Sequence, residues 1–230
     1  MSTTSEDRAR SAHRRERRAS REEAIIAATR EVFDLRGARE ARVEDIARAA
    51  GLNKALIYRV FLSKEEIYVR TAASYLDELR AEVEALTLDP EPVTALGQLL
   101  TTFADFCIVY PAFLDCGLGL LNRPASELRE TLSDAAWFRV SRAVGRCVGP
   151  VQRALQAGAD SGEFALEDPG FLAARLLTAM MGALHLVRLG VAVQEAVPGA
   201  VTAVPLDPAQ VRDACVADAL ATVVRRGDAR

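Results

Sequence analysis

The chain has 230 residues, half of them apolar but only 6% aromatic, and a formal net charge of −3. Such a length buries a sizeable core in one or two domains. Alanine and leucine dominate and β-branched runs are short, a composition that favours an all-α protein. No stretch reaches the roughly 18 consecutive apolar residues of a membrane span, so no membrane partner is expected. The polar N-terminus lacks the apolar middle of a signal peptide, and the expected location is cytoplasmic.

Charge is unevenly spread. Residues 1–62 carry 14 Lys/Arg against 10 Asp/Glu, and the remainder carries 15 against 22. A basic N-terminal part on an acidic body points to one face for an anion and another face for something else. Cys107, Cys116, Cys147 and Cys215 are widely spaced, and only two histidines are present. No metal site is expected from such a set. The thiols read as small buried hydrophobes, with a redox pair of Cys107 and Cys116 as the alternative.

In chain order, residues 1–19 are polar and arginine-rich and read as a flexible basic arm. A first helix is predicted from about Ser20, with Glu23 as its capping-box partner, to Leu35. Its apolar face is Ile25, Ala28, Val32 and Leu35, and Gly37 ends it. A second helix follows over Val43–Ala50. A third runs from Lys54 to about Phe61 behind Asn53 as N-cap. A fourth starts behind Ser63, where Ser63 and Glu66 form a second capping box, and continues to about Leu86. Asp89-Pro90-Glu91-Pro92 breaks the chain. Helices are then expected near 93–109, 111–122 and 126–157, with Gly145, Gly149 and Pro150 as a place for the last to split. A connection is expected over 158–168. Asp168-Pro169 and Asp207-Pro208 each place an N-cap aspartate before a proline, and they open helices near 169–189 and 208–225. The intervening 191–206 reads as an unusually long apolar loop, covering a pocket or a dimer partner.

Two short helices joined by a glycine turn make a helix-turn-helix. Ile46, Ala50, Leu52, Ile57 and Val60 supply its apolar wedge, and Ala47 leaves room for close approach. The third helix then exposes Asn53, Lys54, Ala55, Tyr58, Arg59 and Leu62. Lysine and arginine suit guanine edges or phosphates, Ala55 suits a thymine methyl, and a tyrosine hydroxyl suits phosphate. Lys64 stands at a helix N-terminus, where backbone N–H groups also attract phosphate.

Residues 20–70 resemble the DNA-binding domain of the TetR family of transcriptional regulators. The residues that carry the resemblance are Phe33, Gly37, Asp45-Ile46-Ala47, Ala50-Gly51-Leu52-Asn53-Lys54, Leu56-Ile57-Tyr58, Phe61 and Ser63-Lys64-Glu65. Two positions depart from the family pattern. Arg42 and Val43 stand where threonine usually begins the second helix, and Ala55 stands where glycine or serine is frequent. The resemblance implies a three-helix N-terminal DNA-binding domain over 20–65. It also implies a helical C-terminal ligand-binding and dimerisation domain over 66–230.

The expected function is a ligand-responsive regulator, a repressor released from a palindromic double-stranded operator by a largely apolar small molecule. DNA contacts are expected from Arg42, Asn53, Lys54, Ala55, Tyr58, Arg59 and Lys64. The small residues of the last two helices, among them Ala179, Gly182, Ala183, Ala214 and Ala217, suit a homodimer interface. Phe103, Phe106, Tyr110, Phe113, Trp137, Phe138, Met180 and His185 are the candidate ligand-binding residues, with Tyr110 and His185 as polar anchors. No GxSxG, P-loop, metal cluster or dinucleotide fingerprint is present, so neither an enzyme nor a cofactor is expected. A constitutive, sequence-tolerant DNA-binding protein is the alternative, and a helical enzyme the more distant one.

Overall fold

The computed structural model describes residues 3–122 and 124–224. Ten helices and one hairpin are described: α1 Thr3–Arg36, α2 Val43–Ala49, α3 Lys54–Tyr58, α4 Lys64–Glu84, α5 Pro92–Val109, α6 Pro111–Leu121, α7 Ala125–Thr131, α8 Asp134–Ser161, α9 Pro169–Leu189, β1 Val191–Val197, β2 Ala200–Pro205 and α10 Pro208–Val223. The fold is helical, with one small two-stranded sheet. Two compact units are present. The first combines the chain up to Ser74 with Gly119–Val140, and the second combines Tyr75–Leu118 with the chain from Ser141. The chain passes from the first unit to the second within α4, between Ser74 and Tyr75, and Gly119–Val140 lies in the first unit.

In the first unit, α1 overturns two expectations. Its helix runs back to Thr3, so 3–19 is not an arm without structure, and Ser20 is an interior residue rather than a cap. Alanine, arginine and glutamate are strong helix formers, and a helix already nucleated by a packed segment extends at one hydrogen bond per residue. Apolar periodicity is not required for that. The packed face contains Ile25, Ala28, Val32 and Phe33, whereas Leu35, expected on it, is exposed. Gly37 (φ 79°) ends the helix, and its N–H donates to the Phe33 carbonyl at 2.7 Å.

The helix-turn-helix packs Ile46, Ala47 and Ile57 into the core with Ile25, Phe33, Phe61 and Ile67. Gly51 has φ 65°, the left-handed conformation in which a Cβ is disfavoured. The next N–H, that of Leu52, donates to the Ala47 carbonyl at 2.8 Å and closes the turn. Asn53 caps α3, its Oδ1 accepting from Leu56 N at 2.9 Å. Ser63 Oγ accepts from Glu66 N at 3.0 Å, while Glu66 Oε2 reaches Leu62 N at 2.9 Å. The other Glu66 oxygen accepts from Ser133 Oγ at 2.7 Å, so this buried carboxylate is satisfied on both oxygens. That bond also ties the start of α8 to the start of α4. Beside it, Val69, Leu132, Ala136 and Val140 form a second apolar cluster, covered by Leu120, Leu128 and Trp137. Glu22 of α1 pairs with both Arg70 and Arg139. Burial lowers the Arg70 guanidinium pKa to about 10, helped by the nearby charges of Arg139 and Arg18.

In the second unit, α5 packs with α9 and α10, and α9 with α10. Its core includes Leu96, Leu99, Leu100, Phe106, Leu155 and Leu184. Asp168 and Asp207 cap α9 and α10 as expected, with oxygens accepting from Phe171 N at 2.9 Å and Ala209 N at 3.0 Å. The expected 126–157 helix is instead two. The break falls at Leu132-Ser133, where Ser133 Oγ accepts from Ala136 N, and not at Gly145–Pro150. Pro150 lies inside α8, which runs on to Ser161 and shortens the expected 158–168 connection.

The apolar stretch after α9 is an antiparallel hairpin, not a loop. Val191 pairs with Pro205, Val193 with Ala203 and Glu195 with Val201. Its turn contains Pro198 and Gly199, the latter at φ 81°. By length and composition alone, α5 and α9 pass for membrane spans, with mean hydropathy 1.4 and 1.5. Polar residues interrupt both, among them Gln98, Asp105 and Arg175. The two helices pack with each other and with α10, which buries 44% of the α5 window and 33% of that of α9.

None of the four cysteines forms a disulfide; three are buried and Cys147 is half-buried. Burial pushes the Cys107 thiol far up and the Cys147 thiol to about 12, with Asp77 adding to the latter. Cys147 Sγ donates to the Leu76 carbonyl at 3.3 Å. Only thiolate reacts with alkylating reagents. Native protein at pH 8 should therefore label at Cys147 far more slowly than unfolded chain, with the rate climbing as pH rises towards 12. Mass spectrometry of iodoacetamide-treated protein checks this, and rapid labelling of Cys147 at pH 8 would contradict it.

Candidate nucleic-acid interface

The cations of the helix-turn-helix divide by partner. Lys54 Nζ pairs with Glu44 Oε1 at 2.6 Å and lies 6.0 Å from the Tyr58 ring centre. The hydrogen bond lowers the Glu44 pKa and raises that of Lys54, so both are charged at neutral pH. Asp45 takes Arg36 at 3.1 Å and Arg48 at 3.2 Å. Among the described residues, no carboxylate pairs with Arg39, Arg42, Arg59 or Lys64. Lys64 instead lies 5.3 Å from the Tyr68 ring centre, at the N-terminus of α4.

An open concavity of about 860 Å³ is lined by Arg36, Arg39, Arg42, Arg48 and Lys64 together with Glu40, Glu44 and Asp45. Its base is the loop between α1 and α2. Arg42 occupies the N-cap position of α2 with extended backbone (φ −104°, ψ 149°) and no side-chain capping bond, which leaves its guanidinium exposed. On α3, Ala55, Tyr58 and Arg59 are exposed as expected. Asn53 is committed differently, because its Oδ1 holds the cap and only its amide nitrogen is left for an outside acceptor. Arg39 is the cation that sequence reasoning missed. Two residues beyond the Gly37 helix stop, it lies on a loop with no periodicity to assign it a face.

The ligand candidates separate. Phe106 lies 4.6 Å from Tyr110 and 5.1 Å from Phe113 between ring centres, and Phe103 lies 6.4 Å from Phe113. Tyr75, which the sequence reading did not single out, completes this group at 5.9 Å from Tyr110 and 6.1 Å from Phe113. The Tyr110 hydroxyl donates to Glu78 Oε1 at 2.6 Å. Met180 lines a small groove between α9 and α10 with Leu176, Ala179, Ala183, Cys215 and Ala219. His185 is half-buried on α9, and its buried Nδ1 has no hydrogen-bond partner among the described residues. Near it in sequence, Leu184, Val187 and Arg188 line a cavity of about 140 Å³ with Cys107, Ile108, Pro111 and Leu114.

Trp137 and Phe138 do not join this group. Both lie in the first unit, where Trp137 packs on the Leu132 cluster and Phe138 is 67% exposed. They lie in the first turn of α8, ahead of the point where that helix passes into the second unit. Trp137 emission therefore reports on the DNA-binding unit.

Residues 25–71 match the family profile described as "Bacterial regulatory proteins, tetR family". Solved structures add the fold over nearly the whole length. RolR in complex with its ligand resorcinol is 16% identical with a TM-score of 0.62, over 90% of this chain and 89% of that one. PfmR, a TetR-family transcriptional regulator from Thermus thermophilus, is 22% identical with a TM-score of 0.58, over 87% and 99%. FadR from Bacillus subtilis, a transcriptional regulator in complex with stearoyl-CoA, is 14% identical with a TM-score of 0.59, over 86% and 97%. No curated protein sequence matches the chain. The helix-turn-helix with its profile match defines a DNA-binding transcriptional regulator. Residues 25–71 are thus an N-terminal DNA-binding domain of the TetR type.

Proposed function

We propose that the protein is a ligand-responsive repressor that binds a near-palindromic operator as a homodimer and is released by a largely apolar small molecule. The observation that carries the DNA half is the group of cations without carboxylate partners, exposed Arg39, Arg42 and Arg59 and half-buried Lys64, beside the buried Ile46 and Ile57. Desolvating an unpaired exposed cation against phosphate breaks no internal ion pair. In this reading Arg59 and Ala55 face base edges, while Arg39, Arg42, Lys64 and the Tyr58 hydroxyl hold phosphates. Lys54 reaches DNA by exchanging Glu44 for an outside acceptor.

The reading is tested by fluorescence anisotropy on cognate and scrambled duplexes. Tyr58→Phe and Lys64→Ala should weaken binding to both, and Arg59→Ala should also narrow the gap between them, by about 1–3 kcal/mol for a lost base contact. Removing a phosphate-binding cation should flatten the logarithmic salt dependence by about 0.9 per contact. Affinity and slope unchanged in all three variants would remove α3 from the interface. Deleting residues 1–18 should also lower the slope if the basic α1 extension lies on phosphates, and an identical slope would show it to be a bystander.

For the effector half, the second unit supplies the ring group of Tyr75, Phe103, Phe106, Tyr110 and Phe113, with Tyr110 and His185 as polar handles. Solved relatives of this fold hold an aromatic ligand in one case and an acyl-CoA in another. The cavity of about 140 Å³ near His185 is smaller than the roughly 300–1,000 Å³ of ordinary ligand sites, so binding requires it to open. Helix α4 carries both Lys64 and Glu78, the hydrogen-bond partner of Tyr110. A ligand that takes over the Tyr110 hydroxyl bears on the helix that holds a phosphate contact. Linkage then requires ligand and DNA to weaken each other equally, typically by about 1–3 kcal/mol. Tyr110→Phe should shift the ligand concentration that releases DNA without changing DNA affinity in its absence. A broad apolar library with no effect on DNA binding would favour constitutive binding instead.

A further inference from the structure

The hairpin between α9 and α10 leaves apolar surface uncovered. Val193 is 70% exposed and Val201 72%, and Val191 and Val197 are exposed as well. The register places Val191, Val193, Val201, Ala203 and Pro205 on one face. The carboxylate on that face, Glu195, is folded back, with Oε1 accepting from Gly199 N at 2.7 Å in the turn. Only Ala192 and Val204, on the opposite face at the base, are half-buried. At the end of α9, immediately before the hairpin, Leu186 and Leu189 are also exposed. An isolated two-stranded hairpin is marginal in water, and monomers rarely leave a continuous apolar patch open. Its edges also lack the lysines that usually guard unpaired strands.

We infer that the hairpin is a clasp, and that each protomer of the homodimer lays this valine face on the second copy beside the α9/α10 contact. The inference rests on the homodimer proposed above. Three observations select a second copy as occupant. The hairpin joins the two helices of that interface, and exposed Leu186 and Leu189 at the end of α9 lead directly into exposed Val191 and Val193. β1 extends about 23 Å at roughly 3.3 Å per residue, which is enough to reach across a helix pair. No Lys, Arg or aromatic residue occurs between Arg188 and Arg212. A nucleic-acid or anionic lipid surface would find no cation there, and a bilayer interface no aromatic anchor. Two-fold exchange of clasps covers both hairpins at once and leaves no open face to propagate assembly.

Sedimentation equilibrium of the full chain tests this, with V193K/V201K as the variant. Both side chains are exposed, so the substitutions spare the protomer's core. The dimer dissociation constant should rise by about tenfold or more. Hydrogen exchange on the wild-type chain supplies a second readout, in which amides of 191–205 gain protection above the dimer dissociation constant. A wild-type dimer with an unchanged constant in V193K/V201K and no added hairpin protection would overturn the clasp and leave the homodimer standing. A wild-type monomer at micromolar concentration would overturn both. Hairpin protection appearing only with phosphatidylcholine vesicles would overturn the clasp in favour of a lipid surface.

Discussion

Gly182→Arg should convert the protein to monomers and lower operator affinity by about 100- to 10,000-fold, the span that linking two binding modules provides. Gly182 is exposed on α9, and a Cβ there meets nothing within 4 Å, so the protomer itself accommodates the change. Ala179 and Ala183 on the same helix and Ala214, Ala217 and Ala221 on α10 are small residues that are likewise exposed or half-buried. In the proposed homodimer these small residues allow the helices of two copies to approach closely, and an arginine at position 182 separates them. Thermal unfolding should show an intact protomer while sedimentation shows half the mass. Retention of the dimer by this variant would place the interface elsewhere.

Ile57→Ala should have the largest effect on stability, about 2–5 kcal/mol for truncating a fully buried isoleucine. Ile57 is the buried residue of α3, a helix of five residues. So short a helix is held by packing rather than by its own hydrogen bonds. Losing the Ile57 contact should free α3 from Ile46 and Phe61 and abolish specific binding before the second unit melts. Trp137 lies in the first unit, so its emission should follow this loss during heating. A Tm and an operator affinity equal to wild type would contradict the packing assigned to Ile57.

What the sequence disclosed was largely what local chemistry decides. Asp168-Pro169 and Asp207-Pro208 announced two helix starts because cap and first turn are set within four residues. Gly51 and Asn53 announced the turn and cap of the helix-turn-helix for the same reason. What it concealed depends on partners distant in sequence. Trp137 and Phe138 looked like pocket residues beside Phe103 and Phe113, yet the Ser133–Glu66 bond and the Val69 contact hold the first turn of α8 in the other unit. Tyr75 carried no signal of its own in the sequence, because its partners Tyr110 and Phe113 lie more than thirty residues away. The hairpin was hidden by its own composition. Valine and alanine on both faces erase the alternation that marks a strand, and only the Pro198-Gly199 turn signalled it. At the N-terminus, absent apolar periodicity suggested an arm, but high helix propensity alone carries α1 back to Thr3.

The central claim, that α3 reads a symmetric operator, is tested most directly by selecting bound duplexes from a random DNA pool at physiological salt. Enrichment of a near-palindrome is expected, with half-sites about 34–36 Å apart centre to centre, or a multiple of that spacing. Arg59→Ala should select a sequence relaxed at one position in each half. A pool that emerges with no shared sequence, or the same sequence from Arg59→Ala as from wild type, would contradict the claim.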